Sequence, residues 1–494
     1  MTELKARFGS DWADALRSDL VVLPAVTGPD GPVLAVAPPI GGAGFAPGLA
    51  DLLRKDHQFD GRVGQVSLAM ATPGVGPVFC AVGLGEKAAV SFSIVRDALF
   101  SAARAMAGWR DCAVVLGAET ARPEGSVRAA VEGWMLGRYG YAEGPDDSVT
   151  LVVGETAGQK ASRREYEIGL ATSRNANWVR RLVETPANEL TPARLATIIA
   201  GRARELAVDV DVWSGEDLMR RGFGATLAVG AGSVNAPVVV ALNPGRASAR
   251  LGLAGKGITF DSGGLNLKRD PAEIAWMKSD MAAAAAVAGA VFAAAELGLD
   301  PDVTAILPLA ENMPGGGALR PGDVVSHPDG LRTEVTDTDC EGRLVLADAV
   351  AYLAKGGVAA IIDVGTLSDG GGVGPLLWGC WATSAGLADR LVAAGEAAGQ
   401  PGWRLPLRDE YDRLIASTVA DIANAPLDVP DSGQLAATYL RRFAGAADWA
   451  HMDIGSSAYL EQEFAPWPKG ATASPMLTLL QLMLDQGQTK HDDT

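Results

Sequence analysis

The sequence predicts a two-domain α/β protein, with a smaller N-terminal α/β domain and a larger C-terminal α/β domain whose sheet is mixed and largely parallel. Short runs of β-branched residues alternate with helical stretches along most of the chain, which is the pattern of strands covered by helices. Residues 238–242 and 360–362 are continuously apolar, as expected for strands buried on both faces. A chain of 494 residues is too long for one core.

The N-terminal domain is predicted to cover residues 1–161. Its Gly-rich pieces at 41–44 and 74–76 lack a strand-to-helix context, so we interpret them as turns and not as phosphate loops. Strands are predicted at residues 20–24, 33–37, 63–71, 78–83, 112–116 and 149–153, and helices near 90–106 and 126–136. The acidic residues here are dispersed, and we predict no catalytic role for this domain.

A connecting helix is predicted over residues 162–185, ended by Thr185-Pro186, and the second domain over residues 186–494. Helices are predicted at 191–206, 216–221, the Ala-rich stretch 281–295 and after Arg343, and strands at 208–212, 237–242, 250–260, 303–309, 333–335 and 359–367. Most candidate site residues fall at or just past strand ends, where open α/β sheets bind ligands.

The composition excludes several classes of function. A formal charge of −17 without a long basic run argues against nucleic-acid binding and against an anionic membrane surface. The longest apolar run, residues 281–295, is too short to span a bilayer, and the N-terminus lacks the apolar core of a signal peptide. Four cysteines without CxxC spacing suit a reducing compartment, so we expect a cytoplasmic protein.

Residues 337–344, Asp-Thr-Asp-Cys-Glu-Gly-Arg-Leu, form the most informative stretch. On an extended segment the carboxylates of Asp339 and Glu341 leave the same face, with Arg343 beside them and an apolar helix following. Alone, the stretch also suits a polar strand-to-helix loop.

Further charges lie upstream in Gly-rich or apolar sequence, at Lys256, Asp261, Lys268 and Asp280. Such charges are rarely left unpaired. Four carboxylates gathered at one place, those of Asp261, Asp280, Asp339 and Glu341, would repel one another unless two divalent cations balanced them. The set therefore predicts a two-metal site.

At this point the chain resembles the leucyl aminopeptidase (cytosol aminopeptidase) family of dinuclear metallo-exopeptidases. The octapeptide matches the family signature Asn-Thr-Asp-Ala-Glu-Gly-Arg-Leu, with Asp337 and Cys340 as departures. Other blocks match in the family's order, at residues 183–188, 255–268, 277–281, 311–316, 320–323, 449–453 and 469–472.

The resemblance implies roles for the charged residues. Asp261 and Glu341 bridge both metals, Lys256 and Asp280 complete one site, and Asp339 belongs to the other. Lys268 stabilises the oxyanion, and Arg343 holds a bicarbonate that shuttles a proton. The resemblance also implies two Zn²⁺ or Mn²⁺ ions per subunit, peptide substrates and a homohexamer. Lys256 could instead form an ordinary salt bridge, and Lys268 and Arg343 surface ion pairs.

By the same resemblance, Met277, Thr366, Leu367 and Asp369 line the pocket for the first side chain of the substrate. Asp369 stands where the family has Gly, which would make the pocket smaller and negative, so we expect a preference for basic or small first residues over Leu. The three glycines that follow could equally turn Asp369 to solvent. Two other functions stay open, a dinuclear amidase or dipeptidase of narrow specificity and a degenerate, non-catalytic family member.

Overall fold

A computed structural model describes residues 3–8, 15–29, 31–35, 59–70, 77–117, 125–141, 148–153, 159–243, 250–299, 302–464 and 467–492. The chain forms two compact units, one of Met1–Asn177 with Ala465–Trp467 and one of Trp178–Phe464 with Pro468–Thr494. The Gly-rich pieces at 41–44 and 74–76 lie outside the described residues. The predicted two-domain α/β class is confirmed, whereas the domain limits at 161 and 186 stay a prediction.

The first unit is built on a mostly parallel sheet that, within the described ranges, has seven strands in the order β1-β7-β6-β2-β5-β4 with β3 beside β2. Its strands are β1 (Glu3–Phe8), β2 (Leu20–Gly28), β3 (Gly31–Leu34), β4 (Val66–Met70), β5 (Val78–Glu86), β6 (Asp111–Leu116) and β7 (Ser148–Val153). Its helices are α1 (Phe92–Ala105), α2 (Ser126–Gly137) and the beginning of α3 (Gln159–Glu184). Strands β3 and β4 pair antiparallel and the others parallel.

The core of the first unit explains why these segments fold as they do. β2 and β6 are buried along nearly their whole length, because helices cover the sheet. The apolar faces of α1 and α2 pack against it through side chains such as Leu99 and Trp134. At the start of α1, Ser91 caps the helix by accepting a hydrogen bond from the amide of Ile94.

The second unit carries a larger mixed sheet, with nine strands in the part of the chain that the structure describes. Its strands are β8 (Val210–Ser214), β9 (Val238–Leu242), β10 (Leu251–Gly255), β11 (Gly257–Asp261), β12 (Val303–Asn312), β15 (Ala360–Gly365), β16 (Trp378–Ala382), β17 (Gly402–Arg404) and β19 (Asp448–Asp453), and smaller sheets contain β13 (Val324–Ser326), β14 (Arg332–Glu334), β18 (Ile422–Ala423), β20 (Tyr459–Leu460) and β21 (Gly470–Ala471). The order β17-β16-β19-β15-β10-β12-β9-β8, with β11 beside β12, places the parallel strands at the centre.

Helices cover both faces of this sheet. They are α4 (Pro192–Glu205), α5 (Glu216–Arg221), α6 (Gly224–Gly230), α7 (Pro271–Trp276), α8 (Ala282–Glu296), α9 (Glu341–Lys355), α10 (Ala385–Ala398), α11 (Gly433–Leu440) and α12 (Met476–Asp492). The stretch predicted as one strand at 250–260 is two strands, β10 and β11, which separate at Lys256.

The Ala-rich helix α8 is buried from Ala282 to Ala294. It lies so close to the sheet that a Cβ atom on Gly255 would be 2.8 Å from the Cα atom of Ala284. Among the described residues, one segment, Pro271–Glu296, is long and apolar enough to cross a membrane, and 89% of its most apolar part is buried inside the protein. Such burial is typical of the core helix of a globular domain.

Candidate metal centre

A cavity of about 800 Å³ lies at the carboxyl edge of the parallel strands in the second unit. Strands β10, β11, β12, β15 and β19 run in the same direction, so their carboxyl ends meet there. Lys256 follows β10, Asp261 ends β11 and Thr366 follows β15, and all three side chains line the cavity. A volume of this size accommodates a small-molecule or short-peptide ligand.

Three buried carboxylates, those of Asp261, Asp280 and Glu341, approach one another at the base of this cavity. One oxygen from each lies within 4.8 Å of the other two. Two further oxygens, Oδ2 of Asp280 and Oε2 of Glu341, are buried without a hydrogen-bond partner among the described residues. Buried polar atoms are rarely left unsatisfied, and carboxylate oxygens are ligands for divalent cations. The residues present therefore fit a metal site.

The amine of Lys256 lies inside this cluster. Its Nζ atom is 2.8 Å from Oδ1 of Asp280 and 3.0 Å from Oε1 of Glu341. Nζ also donates a 2.8 Å hydrogen bond to the carbonyl of Thr366. Burial lowers the pKa of Lys256, but the surrounding carboxylates outweigh burial and leave that pKa raised overall. Without a metal, Lys256 is therefore an ammonium that pairs with these acids.

Lys268 connects the cluster to the fourth carboxylate. Its Nζ atom is 3.0 Å from Oδ2 of Asp261 and 2.8 Å from Oδ1 of Asp339. Burial, together with repulsion from Asp261 and Glu341, raises the pKa of Asp339 to about 7, although Lys268 acts in the opposite direction. Four carboxylates and two lysines leave the site with excess negative charge, which favours cations.

The signature stretch is not extended, and this expectation was wrong. A turn forms at residues 338–339, and helix α9 begins directly at Glu341. The side chains of Asp339 and Glu341 nevertheless both line the cavity. Thr338 holds the turn, because its hydroxyl donates a 2.7 Å hydrogen bond to the carbonyl of Gly263 and accepts one of 2.8 Å from the amide of Asn266.

Arg343 is fully buried in the first turns of α9. Its Nη1 atom donates to the carbonyl of Asn424 at 2.8 Å and to Oδ1 of Asp431 at 3.0 Å. Its Nη2 atom pairs with the other oxygen of the same carboxylate. The guanidinium that was expected to hold bicarbonate is thus engaged by two protein oxygen groups, and the arrangement present does not fit a bicarbonate.

All four residues expected to form the substrate pocket, Met277, Thr366, Leu367 and Asp369, line the cavity. Thr366 donates a 2.6 Å hydrogen bond to Oδ1 of Asp280, which places the pocket directly against the carboxylate cluster. Asp369 is exposed, and its Oδ1 atom accepts hydrogen bonds of 3.1 Å from two amides of its own glycine loop. The charge of Asp369 is therefore better solvated than the sequence led us to expect.

The site contains supporting residues for which the sequence analysis assigned no role. Asn312 at the end of β12 donates a 2.8 Å hydrogen bond to Oδ1 of Asp261 and orients that carboxylate. Asn424 donates to the carbonyl of Asp337 at 2.7 Å and accepts from the amide of Thr336. Asn312 lies in a block that resembles the family, and this signal could have identified it.

The sequence profile described as "Cytosol aminopeptidase family, catalytic domain" matches residues 177–480. The chain belongs to this family. The profile of the family's N-terminal domain matches residues 46–143. The chain is a metallo-aminopeptidase, a metal-dependent hydrolase of peptides, as the resemblance implied.

Similar proteins cover nearly the whole chain. A "Probable cytosol aminopeptidase" of Roseiflexus castenholzii is 40% identical over 432 residues, covering 82% of this chain and 87% of the relative. One of Streptomyces avermitilis is 36% identical over 501 residues, covering 95% and 96%. Among solved structures, "Bottromycin maturation enzyme BotP" is 34% identical with a TM-score of 0.81, covering 95% of this chain and 100% of that one. The same enzyme is known in complex with Mn.

Proposed function

We propose that this aminopeptidase acts through two divalent cations held by five side chains. Asp261 and Glu341 would contact both cations, Lys256 and Asp280 would complete one site, and Asp339 would complete the other. The observation that carries the proposal is the buried carboxylate cluster, with its two oxygens that have no partner among the described residues. When bound, two cations would supply an activated water at neutral pH, polarise the scissile carbonyl and bind the free α-amine.

The protein's own residues prepare the site for this chemistry. Lys256 must lose its proton to become a ligand, so cation binding should release a proton to solvent. Asn312 fixes the orientation of Asp261, and Thr366 fixes that of Asp280. Lys268 keeps its positive charge, and its ammonium would stabilise the oxyanion that develops on the substrate carbonyl.

The pocket for the first side chain is formed by Met277, Thr366, Leu367 and Asp369. We propose a preference for basic or small first residues over Leu, because Asp369 contributes a negative charge at its rim. Since this carboxylate is exposed, the preference should be of the modest size that is typical of solvent-exposed ion pairs.

Cytoplasmic location, a homohexameric assembly and the choice of Zn²⁺ or Mn²⁺ are proposed from the family alone. The relatives are named cytosol aminopeptidases, and BotP has been solved with Mn. Bicarbonate is left out of the mechanism, because the fork of Arg343 is engaged by Asp431.

The test is a panel of amino-acid amides and their N-acetylated forms, assayed before and after chelation and with Zn²⁺ or Mn²⁺ restored. We expect cleavage of free-amine substrates only, loss of activity on chelation and recovery with metal. Cleavage that ignores N-acetylation would contradict the amine anchor and favour an amidase. Absence of turnover with both metals bound would indicate a non-catalytic member.

A second candidate is a peptide-maturation peptidase of narrow range, a form of the narrow-specificity alternative. It is favoured by the similarity to BotP, which covers 100% of that enzyme. The same panel separates the two candidates, because a general aminopeptidase cleaves many first residues whereas a maturation enzyme cleaves very few.

A further inference from the structure

The guanidinium of Arg343 is a buried, permanently charged group next to the candidate metal ligands. It lies two residues after Glu341 on α9 and is 1% exposed. A buried arginine needs an anion, because leaving its charge uncompensated in the protein interior costs several kcal/mol. Which anion this site contains therefore decides whether the enzyme depends on a dissolved one.

In this chain the anion comes from Asp431, in the segment between β18 and α11. The two carboxylate oxygens of Asp431 face Nη1 and Nη2 of Arg343, which is the bidentate geometry that guanidinium favours. A third contact fixes the carboxylate, since the thiol of Cys340 lies 3.5 Å from Oδ2 of Asp431. The carboxylate presents the same planar pair of oxygens that a bicarbonate would offer.

Two donors of Arg343 are thereby engaged, and Nη1 also donates to the carbonyl of Asn424. The remaining donor, Nε, is buried and has no hydrogen-bond partner among the described residues. A bicarbonate could reach the bidentate face only by displacing Asp431. The Asp431 side chain is 27% exposed, so its removal would open a solvent-connected space of the right charge for a small anion.

We propose that Asp431 is the resident anion of Arg343 and that this enzyme works without bicarbonate. Asp431 is a positioning residue: it holds the charged fork in place behind Glu341 and keeps dissolved anions out. The proposal rests on the proposed aminopeptidase function for its kinetic readout only, because anion binding is also measurable without substrate.

The kinetic test compares wild type, Asp431→Ala and Asp431→Asn in buffer freed of carbon dioxide, with and without added bicarbonate. Wild-type kcat should change less than about twofold on bicarbonate addition. Asp431→Ala should lose about tenfold or more in kcat, with bicarbonate or formate restoring most of it, because the small anion takes the vacated place. Asp431→Asn should lose activity without rescue, because its amide fills the space without the charge.

The second readout is thermal unfolding of the same metal-free proteins with bicarbonate. An anion that binds only the folded state raises Tm, so Asp431→Ala should be stabilised by bicarbonate, and wild type should respond no more than the control Asp412→Ala. The control removes an ion pair from Arg441, which is only partly buried and has no role in the candidate site. Absence of turnover in wild type would defeat the proposed function and leave this measurement intact.

Several outcomes would overturn the proposal. One is wild-type kcat that falls severalfold when bicarbonate is removed. Another is a folded Asp431→Ala enzyme whose lost activity no small anion restores. A third is Asp431→Ala with unchanged kcat and no Tm response to bicarbonate. If the variants do not fold, the bicarbonate response of wild type alone still decides the question.

Discussion

Gly342, between Glu341 and Arg343 on α9, allows the close approach of a candidate metal ligand. A Cβ atom at this position would lie 2.5 Å from Cε and 2.6 Å from Nζ of Lys256, and 2.7 Å from a methyl group of Leu367. Non-bonded carbon atoms prefer separations of about 3.5 to 4.0 Å. In Gly342→Ala the Lys256 side chain must therefore move by about 1 Å.

Lys256 cannot move this far without losing contacts. Its amine is held at 2.8 Å by Asp280 and the carbonyl of Thr366, and at 3.0 Å by Glu341. Hydrogen bonds to charged groups contribute about 1.5–3 kcal/mol each, so losing one or two costs about 2–4 kcal/mol. The better helix propensity of Ala returns about 1 kcal/mol. We expect a net destabilisation of about 1–3 kcal/mol.

The functional loss should exceed the loss of stability. Displacing a ligand amine should weaken metal binding by at least the factor of about 10–100 that is typical of disturbed supporting contacts. The measurements are metal affinity by equilibrium dialysis, kcat/KM on an amino-acid amide, and Tm. The matched control is Gly201→Ala in α4, another helical glycine, where an added Cβ would meet nothing within 4 Å. The control should keep wild-type metal affinity, with equal or higher Tm. Wild-type metal affinity and kcat/KM in Gly342→Ala would refute the reasoning.

Three further substitutions test the proposed roles. Glu341→Ala or Asp339→Ala should abolish turnover and lower the bound metal content, and full activity in Glu341→Ala would end the two-metal proposal. Lys268→Ala should lower kcat by about 10²–10³ while KM and metal content change little, because its contact strengthens only as the oxyanion forms; a raised KM at constant kcat would contradict this role. Asp369→Gly should lower the ratio of kcat/KM for Arg-amide to that for Leu-amide by about two- to fivefold, and an unchanged ratio would show that the Asp369 carboxylate has no part in selection.

Much of the fold was predictable from the sequence because its signals are local. The fully buried strands β9 and β15 are continuous apolar runs, and α8 is an uninterrupted apolar, Ala-rich segment. The candidate site was predictable for a different reason: Asp261, Asp280 and Glu341 are charges in apolar or Gly-rich surroundings, and the structure does bring them together. Burial of charges is costly enough that such positions are informative without any coordinates.

The predictions failed where a partner comes from a distant part of the chain. Asp431 lies 88 residues after Arg343, in a segment with other acids and prolines and without a motif, and nothing local distinguishes it from a solvated loop residue. Asp369 shows the opposite problem, because the path of a glycine loop decides whether its carboxylate faces the pocket or its own amides. Spacing along a chain does not contain that information.

The alanine helix α8 limits how this enzyme can change over generations. Its residue 284 donates an amide hydrogen bond of 2.9 Å to the backbone carbonyl of Lys256, and it lies against Gly255 with no room for a larger side chain. A single added methyl group here would push the two strands that present Lys256 and Asp261 away from the helix. Substitutions can accumulate freely on the exposed loops of the protein. Along α8 the mutational tolerance should be as low as at the catalytic residues, although no residue of this helix has been assigned a part in catalysis.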